Sequence, residues 1–163
     1  MDHLWATSRI DYIKGEKPAG CILCDKPKEQ SDQTEADRDN LILKRNAHAF
    51  VMMNLYPYNN GHLMVSPYLH TAAIETLAAD VAADLMATVQ ISIAALKKAM
   101  KPDGINVGLN LGKTAGAAIE HHLHIHIVPR WEGDTNFMTV ASQTRVIPQD
   151  VRETYLQLKP FFK

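Results

Sequence analysis

Between residues 71 and 100, apolar side chains return every three or four positions, at Ile74, Leu77, Val81, Leu85, Leu96 and Met100, with Thr88 and Ser92 on the same line. That is the period of one helical face. The spacing predicts a long helix over 71–100, with Thr71 as its N-cap and Pro102 and Gly104 just past its end. Alanines at 72, 73, 78, 79, 82 and 83 favour helix and permit close packing. Elsewhere the period is two. Residues 41–45 and 47–54 read as a hairpin, in which Ala49, Val51 and Met53 alternate with Phe50 and Met52, so both faces are apolar. Pro57, Asn59, Asn60 and Gly61 make a turn, 62–66 is the next strand, and Pro67 ends it. Residues 105–111 and 122–128 supply two more strands. A short helix is expected from Pro148, with Val151, Tyr155 and Leu158 on one face, stopping before Pro160. Strands, long helix, strands, short helix is the order of an α+β fold around an antiparallel sheet of about five strands.

The N-terminal part departs from this regularity. Residues 1–24 read as an arm that carries Leu4, Trp5, Ile10, Tyr12 and Ile13 and then Cys21 and Cys24. Residues 25–40 hold six acids, three bases and no large apolar residue, the composition of a solvated, mobile polar loop. The 163 residues suit a single domain spanning 1–163. With 17 basic and 18 acidic residues there is no positive surplus to grip a nucleic-acid polymer. A small phosphate ligand needs only a few local donors. The most apolar stretch, 72–100, is broken by Glu75, Asp80, Asp84, Gln90 and Lys97, which argues against a membrane partner. Without a secretory pattern at the N-terminus or a disulfide framework, the expected location is cytoplasmic.

Histidine changes the picture. Four of the eight histidines fall in 121–126. In a strand, His122, His124 and His126 share one face, and Leu123, Ile125 and Ile127 share the other. Three imidazoles are then mounted on a rigid element held by burial behind them, as reacting groups should be. Residue type and spacing leave three readings: a strand without chemistry, a His-x-His metal site, and nucleophilic attack by imidazole on phosphorus. The run Gly112-Lys113-Thr114 after Gly108 is not a phosphate loop, which requires four residues between its glycines.

His122-x-His124-x-His126 followed by two apolar residues resembles the signature of the histidine triad superfamily of nucleotide hydrolases and transferases. Gly61-His62-Leu63-Met64-Val65-Ser66-Pro67 resembles that family's glycine-histidine strand, and Asn110-x-Gly112 with Ala115-Gly116 resembles its phosphate loop. Pro129-Arg130-Trp131 and Gly133-Asp134-Thr135-Asn136-Phe137-Met138 look like the bacterial branch near the fragile-histidine-triad and dinucleoside polyphosphate enzymes. The resemblance covers nearly the whole chain except 25–40. It implies that His124 is the nucleophile toward the α-phosphate of a nucleotide, forming a nucleotidyl-histidine. It further implies that His122 belongs to the catalytic triad with His124 and His126, that His126 donates to a phosphate oxygen, that Asn110 holds the same phosphate, and that Asn54 binds ribose hydroxyls. His62 is expected to be structural, and His3 and His48 to have no role.

The resemblance also implies a homodimer whose two sheets join, and a structural zinc. Cys21-x-x-Cys24 is half of a tetrahedral site by spacing. Zinc-containing relatives complete it with a histidine after a Pro-x-x-His turn and the first triad histidine, which are His70 and His122 here. His121 is a rival ligand on the opposite face. One interval departs from the family: Ala117-Ala118-Ile119-Glu120-His121 stands where many members place Gln and then Ser or Thr. The expected activity is cleavage of diadenosine polyphosphates, by hydrolysis or phosphorolysis, with no organic cofactor. Nucleoside phosphoramidase, nucleotide-binding sensor and metal-dependent hydrolase are the alternatives, and the ligand is a mononucleotide or dinucleoside polyphosphate.

Overall fold

The computed structural model describes residues 20–28, 33–134 and 149–162. Their helices are α1 (Ile22–Asp25), α2 (Gln33–Asp39), α3 (Ala79–Met100) and α4 (Val151–Leu158), and their strands are β1 (Ile42–Arg45), β2 (Ala49–Met53), β3 (Leu63–Pro67), β4 (Gly104–Leu109) and β5 (Ile125–Arg130). The strands form one sheet in the order β1-β2-β3-β5-β4, antiparallel throughout. This is the α+β arrangement that the pattern implies.

Both sheet faces are covered, as the hairpin's double apolar pattern requires. Ala49, Val51 and Met53 pack with Leu63, Val65, Leu123, Ile125 and Ile127 under Leu85, Val89 and Leu96 of α3. A fully buried side chain of this kind contributes about 1.5–3 kcal/mol. Phe50, Met52 and Met64 point the other way and meet Leu23, Ile42, Cys21 and Ile22. The N-terminal segment is therefore a lid on the second face. By length and composition α3 could cross a bilayer, yet here it lies on the sheet.

Three expectations need correction. The long helix starts at Ala79, not 71; Ile74–Thr76 is an isolated 3-10 turn. Thr71 is not its N-cap. The Thr71 hydroxyl accepts the Ala73 N–H and its carbonyl accepts the Leu123 N–H at 2.6 Å, so the segment is tied to the histidine strand instead of entering the helix. Residues 25–40 are not one polar loop, because α1 ends at Asp25, a 3-10 turn runs over Lys26–Lys28, and α2 covers Gln33–Asp39. Arg45 explains the order. Its Nε and Nη2 grip the Asp37 carboxylate and its Nη1 donates to the Pro27 carbonyl at 2.7 Å. Third, β5 begins at Ile125 and runs to Arg130, three residues later than expected at its start. The short helix has Asp150 as N-cap, accepting the Arg152 N–H; Pro148 lies outside the described residues, as do His3, residues 1–19 and the 135–138 motif.

Candidate active site and metal centre

His126 stands opposite Met64 on β3 and Gly108 on β4. Opposed residues share a face, and Met64 belongs to the cluster beneath the N-terminal segment. The imidazoles thus lie on the face away from α3. Gly108 has no side chain, which leaves room beside His126. His122 and His124 precede the regular strand. Leu123 between them is pinned at both ends: its N–H donates to Thr71 and its carbonyl accepts the Ser66 hydroxyl at 2.8 Å. These bonds replace the ladder bonds that a strand beginning at 122 would make.

Partners assign the protons on each imidazole. His124 Nδ1–H donates to the His122 carbonyl at 2.8 Å, leaving the Nε2 lone pair free. His62 Nδ1 accepts the Tyr58 backbone N–H at 3.0 Å, with the Asn54 amide 3.3 Å away. His62 must then carry its proton on Nε2, which donates to His126 Nδ1 at 2.9 Å. His126 in turn carries its proton on Nε2. A lone pair on His124 and an N–H on His126 are set side by side, with ring centroids 4.8 Å apart. Burial, with the neighbouring His126 and His124 imidazoles, pushes His62 down to about 3. Burial and His124 push His126 down to about 4. Both are neutral at pH 7.

His122 faces elsewhere. Its Nε2–H donates to the Pro67 carbonyl at 2.8 Å, so Nδ1 offers a lone pair. That nitrogen lies 3.3 Å from both Cys21 Sγ and Cys24 Sγ, and His70 Nδ1 lies 3.2 Å from Cys24 Sγ. The four donor atoms are all within 4.8 Å of one another. Two soft sulfurs and two imidazoles form a four-donor set suited to zinc, and a closed one of the structural kind. Burial and the adjacent Cys21 raise the Cys24 pKa; a dication bound there would favour its thiolate. Of the triad only His122 belongs to this cluster. The three imidazoles do not converge on one metal, which removes the His-x-His metallohydrolase reading.

The remaining expected residues are distributed as follows. Asn54 ends the hairpin; its Oδ1 accepts the Tyr56 N–H at 2.9 Å and its Nδ2 faces His62, so it shapes the 54–58 loop as well as bordering the site. Leu109 pairs with Ile125, and one residue beyond on each strand stand Asn110 and His124. His121 is exposed and outside the cluster. The backbone N–H of His48 donates to Asp84 at the far end of the hairpin. His62, expected to be structural, is packed beside the site, and the sequence did not reveal its bond to His126. It is fully buried and hydrogen-bonded to a triad histidine. Its signal was the preceding glycine. Gly61 has φ of +74°, and a Cβ there would come within 2.6 Å of Met100 Sδ, so this residue delivers His62 into a crowded core.

The HIT domain model matches residues 34–133. The AP-4-A phosphorylase of Mycobacterium tuberculosis (strain H37Rv) is 40% identical over 158 residues, covering 94% of this chain and 80% of that protein. The bis(5'-adenosyl)-triphosphatase of Dictyostelium discoideum is 33% identical over 86 residues, 53% of this chain and 57% of that one. Among solved structures, a Zn-bound histidine triad family protein from Mycobacterium smegmatis has the same fold, with a TM-score of 0.61 at 24% identity, covering 74% of this chain and 82% of its own.

Proposed function

The chain belongs to the HIT domain family, and from that premise we propose that it is a nucleotidyl-transferring enzyme that cleaves diadenosine polyphosphates at the α-phosphate, passing the adenylyl group through His124 to inorganic phosphate. The 40% identity to an AP-4-A phosphorylase over 94% of the chain favours this substrate class and phosphorolysis over hydrolysis. The observation that carries the reading is the paired tautomer state: a free Nε2 on His124 beside an Nε2–H on His126.

In the first step the His124 Nε2 lone pair attacks the α-phosphorus. The bond from that phosphorus to the bridging oxygen breaks, and the polyphosphate half leaves with its electron pair. The His122 carbonyl, already accepting Nδ1–H, steadies the positive charge that develops on the His124 ring. His126 Nε2–H donates to a non-bridging oxygen, and Asn110 holds the same phosphate. Asn54 meets the ribose hydroxyls with the donor and acceptor capacity that its turn leaves free. In the second step an oxygen of inorganic phosphate attacks the adenylyl group and His124 departs with the lone pair it began with. For diadenosine tetraphosphate the products are ATP and then ADP, and atoms balance.

Cys21, Cys24, His70 and His122 would hold a zinc ion that ties the N-terminal segment to the histidine strand and takes no part in the chemistry. The protein works as a homodimer in the cytoplasm, where the thiols stay reduced. Support for the dimer is the outer edge of β4, which pairs with no strand among the described residues, with Val107 47% exposed on it. The test of the activity is rapid mixing of enzyme with diadenosine tetraphosphate without phosphate, quenched in alkali because phosphoramidates are acid-labile, and peptide mass analysis. Adenylyl-His124 that disappears on adding phosphate, with ADP formed, supports the reading; turnover with no adenylyl-histidine at any time overturns it.

A further inference from the structure

Tyr58 takes no part in the steps above, yet it touches both members of the His62–His126 pair. Its ring centroid lies 4.5 Å from that of His62 and 5.4 Å from that of His126, tilted 36° and 37° to them. Its backbone N–H is the donor to His62 Nδ1. The residue is 36% exposed. One face of the ring thus meets the imidazoles while part of it meets solvent. The 54–58 loop is held in this course by the turn at Asn54.

The pair needs such a cover. His126 is useful only while its proton sits on Nε2, and that rests on a single bond, from His62 Nε2–H to His126 Nδ1. A water reaching that bond can donate, accept, or carry a proton, and so populate the other tautomer. The other tautomer would turn a lone pair toward an anionic phosphate. His62 cannot correct the error, because its own Nδ1 is committed to Tyr58. Among the described residues, the titratable or polar rings in contact with His126 are His62, just before β3, Tyr58 from the loop and His124, just before β5; β4 presents Gly108 opposite. An aromatic face attracts a cation weakly, whereas excluding water disfavours the charged form more strongly.

We propose that Tyr58 is a positioning residue for the transfer reaction: its ring shuts water off from the His62–His126 pair, while its backbone N–H orients His62, so that His126 is held as a neutral donor with its proton on Nε2. This rests on the reading that His126 donates to phosphate. The ring, not the hydroxyl, does the work.

The test compares the full chain with Tyr58→Phe and Tyr58→Ala by nitrogen-edited NMR of the imidazoles and by phosphorolysis kinetics between pH 5 and 9. The wild type and Tyr58→Phe should show one neutral tautomer of His126 at pH 7. In Tyr58→Ala that signal should become a tautomer mixture, with the His126 titration midpoint raised by about one pH unit. Its kcat should fall several-fold at pH 7 and above, where His126 is neutral and the tautomer mixture acts alone, with KM within about twofold. Unchanged His126 signals and pH profile in Tyr58→Ala would overturn the proposal, as would equal damage from Tyr58→Phe. Should the alanine variant not fold, Tyr58→Asn takes its place, a polar side chain that admits water: a tautomer mixture in that variant supports the proposal, and unchanged His126 signals overturn it. Adenylyl-His124 trapping in the wild type tests the underlying reading separately. If no adduct forms, that reading fails, while the NMR comparison still decides whether Tyr58 orders the pair.

Discussion

The carbonyl oxygen of His122 lies 2.8 Å from Nδ1 of His124, so the residue that turns its ring toward the two thiols also sets the tautomer of the imidazole with the free lone pair. The metal-type cluster and the candidate reaction centre share this one residue. Rigidity at the cysteines therefore reaches His124 through a single bond.

His124→Ala should abolish turnover and leave the fold intact. The expected loss is roughly 5 kcal/mol or more of transition-state stabilisation, about 10⁴-fold in rate. His126→Ala removes one donor to developing charge and should cost less, about 3–4 kcal/mol. Steady-state kinetics with circular dichroism as the folding control checks both. Small, equal losses at the two positions would contradict the assignment of His124 as nucleophile.

Stability should fall on acidification from about pH 6.5 to 4. His62 and His126 are held neutral in the fold, at about 3 and about 4, whereas unfolded histidine binds a proton near its ordinary value of about 6.5. The unfolded state takes up protons that the folded state refuses, so stability rises with pH across this window and is fully present above it. His62, the more buried of the two, alone accounts for about 2 kcal/mol at pH 5. Urea melts at pH 7.5 and 5 measure the difference. A His62→Gln variant should show a shallower slope, and an identical slope would remove His62 as its source.

Protein purified without a nickel column or chelators should contain near one equivalent of zinc per chain by elemental analysis. The Cys21→Ser, Cys24→Ser double variant should lose it and melt several degrees lower, since a closed structural site contributes directly to folding. Wild-type protein free of metal would end this expectation.

Gly61→Ala should destabilise by about 1–2 kcal/mol, because it sets a Cβ into left-handed backbone and against the half-buried Met100 and the Pro129 ring at once. Met100 Sδ and the Pro129 ring lie 2.6 and 3.2 Å from the added carbon. Adding Met100→Ala relieves the contact but not the backbone strain, so the double variant should recover only part of the loss. Thermal denaturation of the three proteins decides it, and a wild-type melting temperature for Gly61→Ala would refute the argument.

Light scattering at micromolar concentration should give the mass of a dimer. Val107→Lys on the outer edge of β4 should shift it toward monomer, since a charge on an exposed edge opposes strand addition. A monomeric wild type would refute the dimer.

Much of the fold was legible along the chain because burial writes itself as periodicity. The alternation through 49–53 announced a sheet covered on both faces, the three- and four-residue spacing announced α3, and Leu123, Ile125 and Ile127 set the histidines on the opposite face. Resemblance, not spacing, joined Cys21 and Cys24 to His70 and His122, and the structure brings the four donor atoms within 4.8 Å. What the chain did not announce was which hydrogen bonds compete. Thr71 looked like a helix cap by residue type, but its carbonyl was taken by Leu123 from a segment more than fifty residues away, and the helix began later. The acidic stretch at 25–40 looked like solvated loop until Arg45, on β1, drew Asp37 into a half-buried pair. The proton arrangement of the site belongs wholly to the tertiary structure. It depends on Tyr58 presenting a backbone N–H to the His62 ring, and on His62, just before β3, presenting its ring Nε2–H to His126 on β5. Residue identity tells that an imidazole can be donor or acceptor at either nitrogen; only the partners that the fold packs against each ring select one.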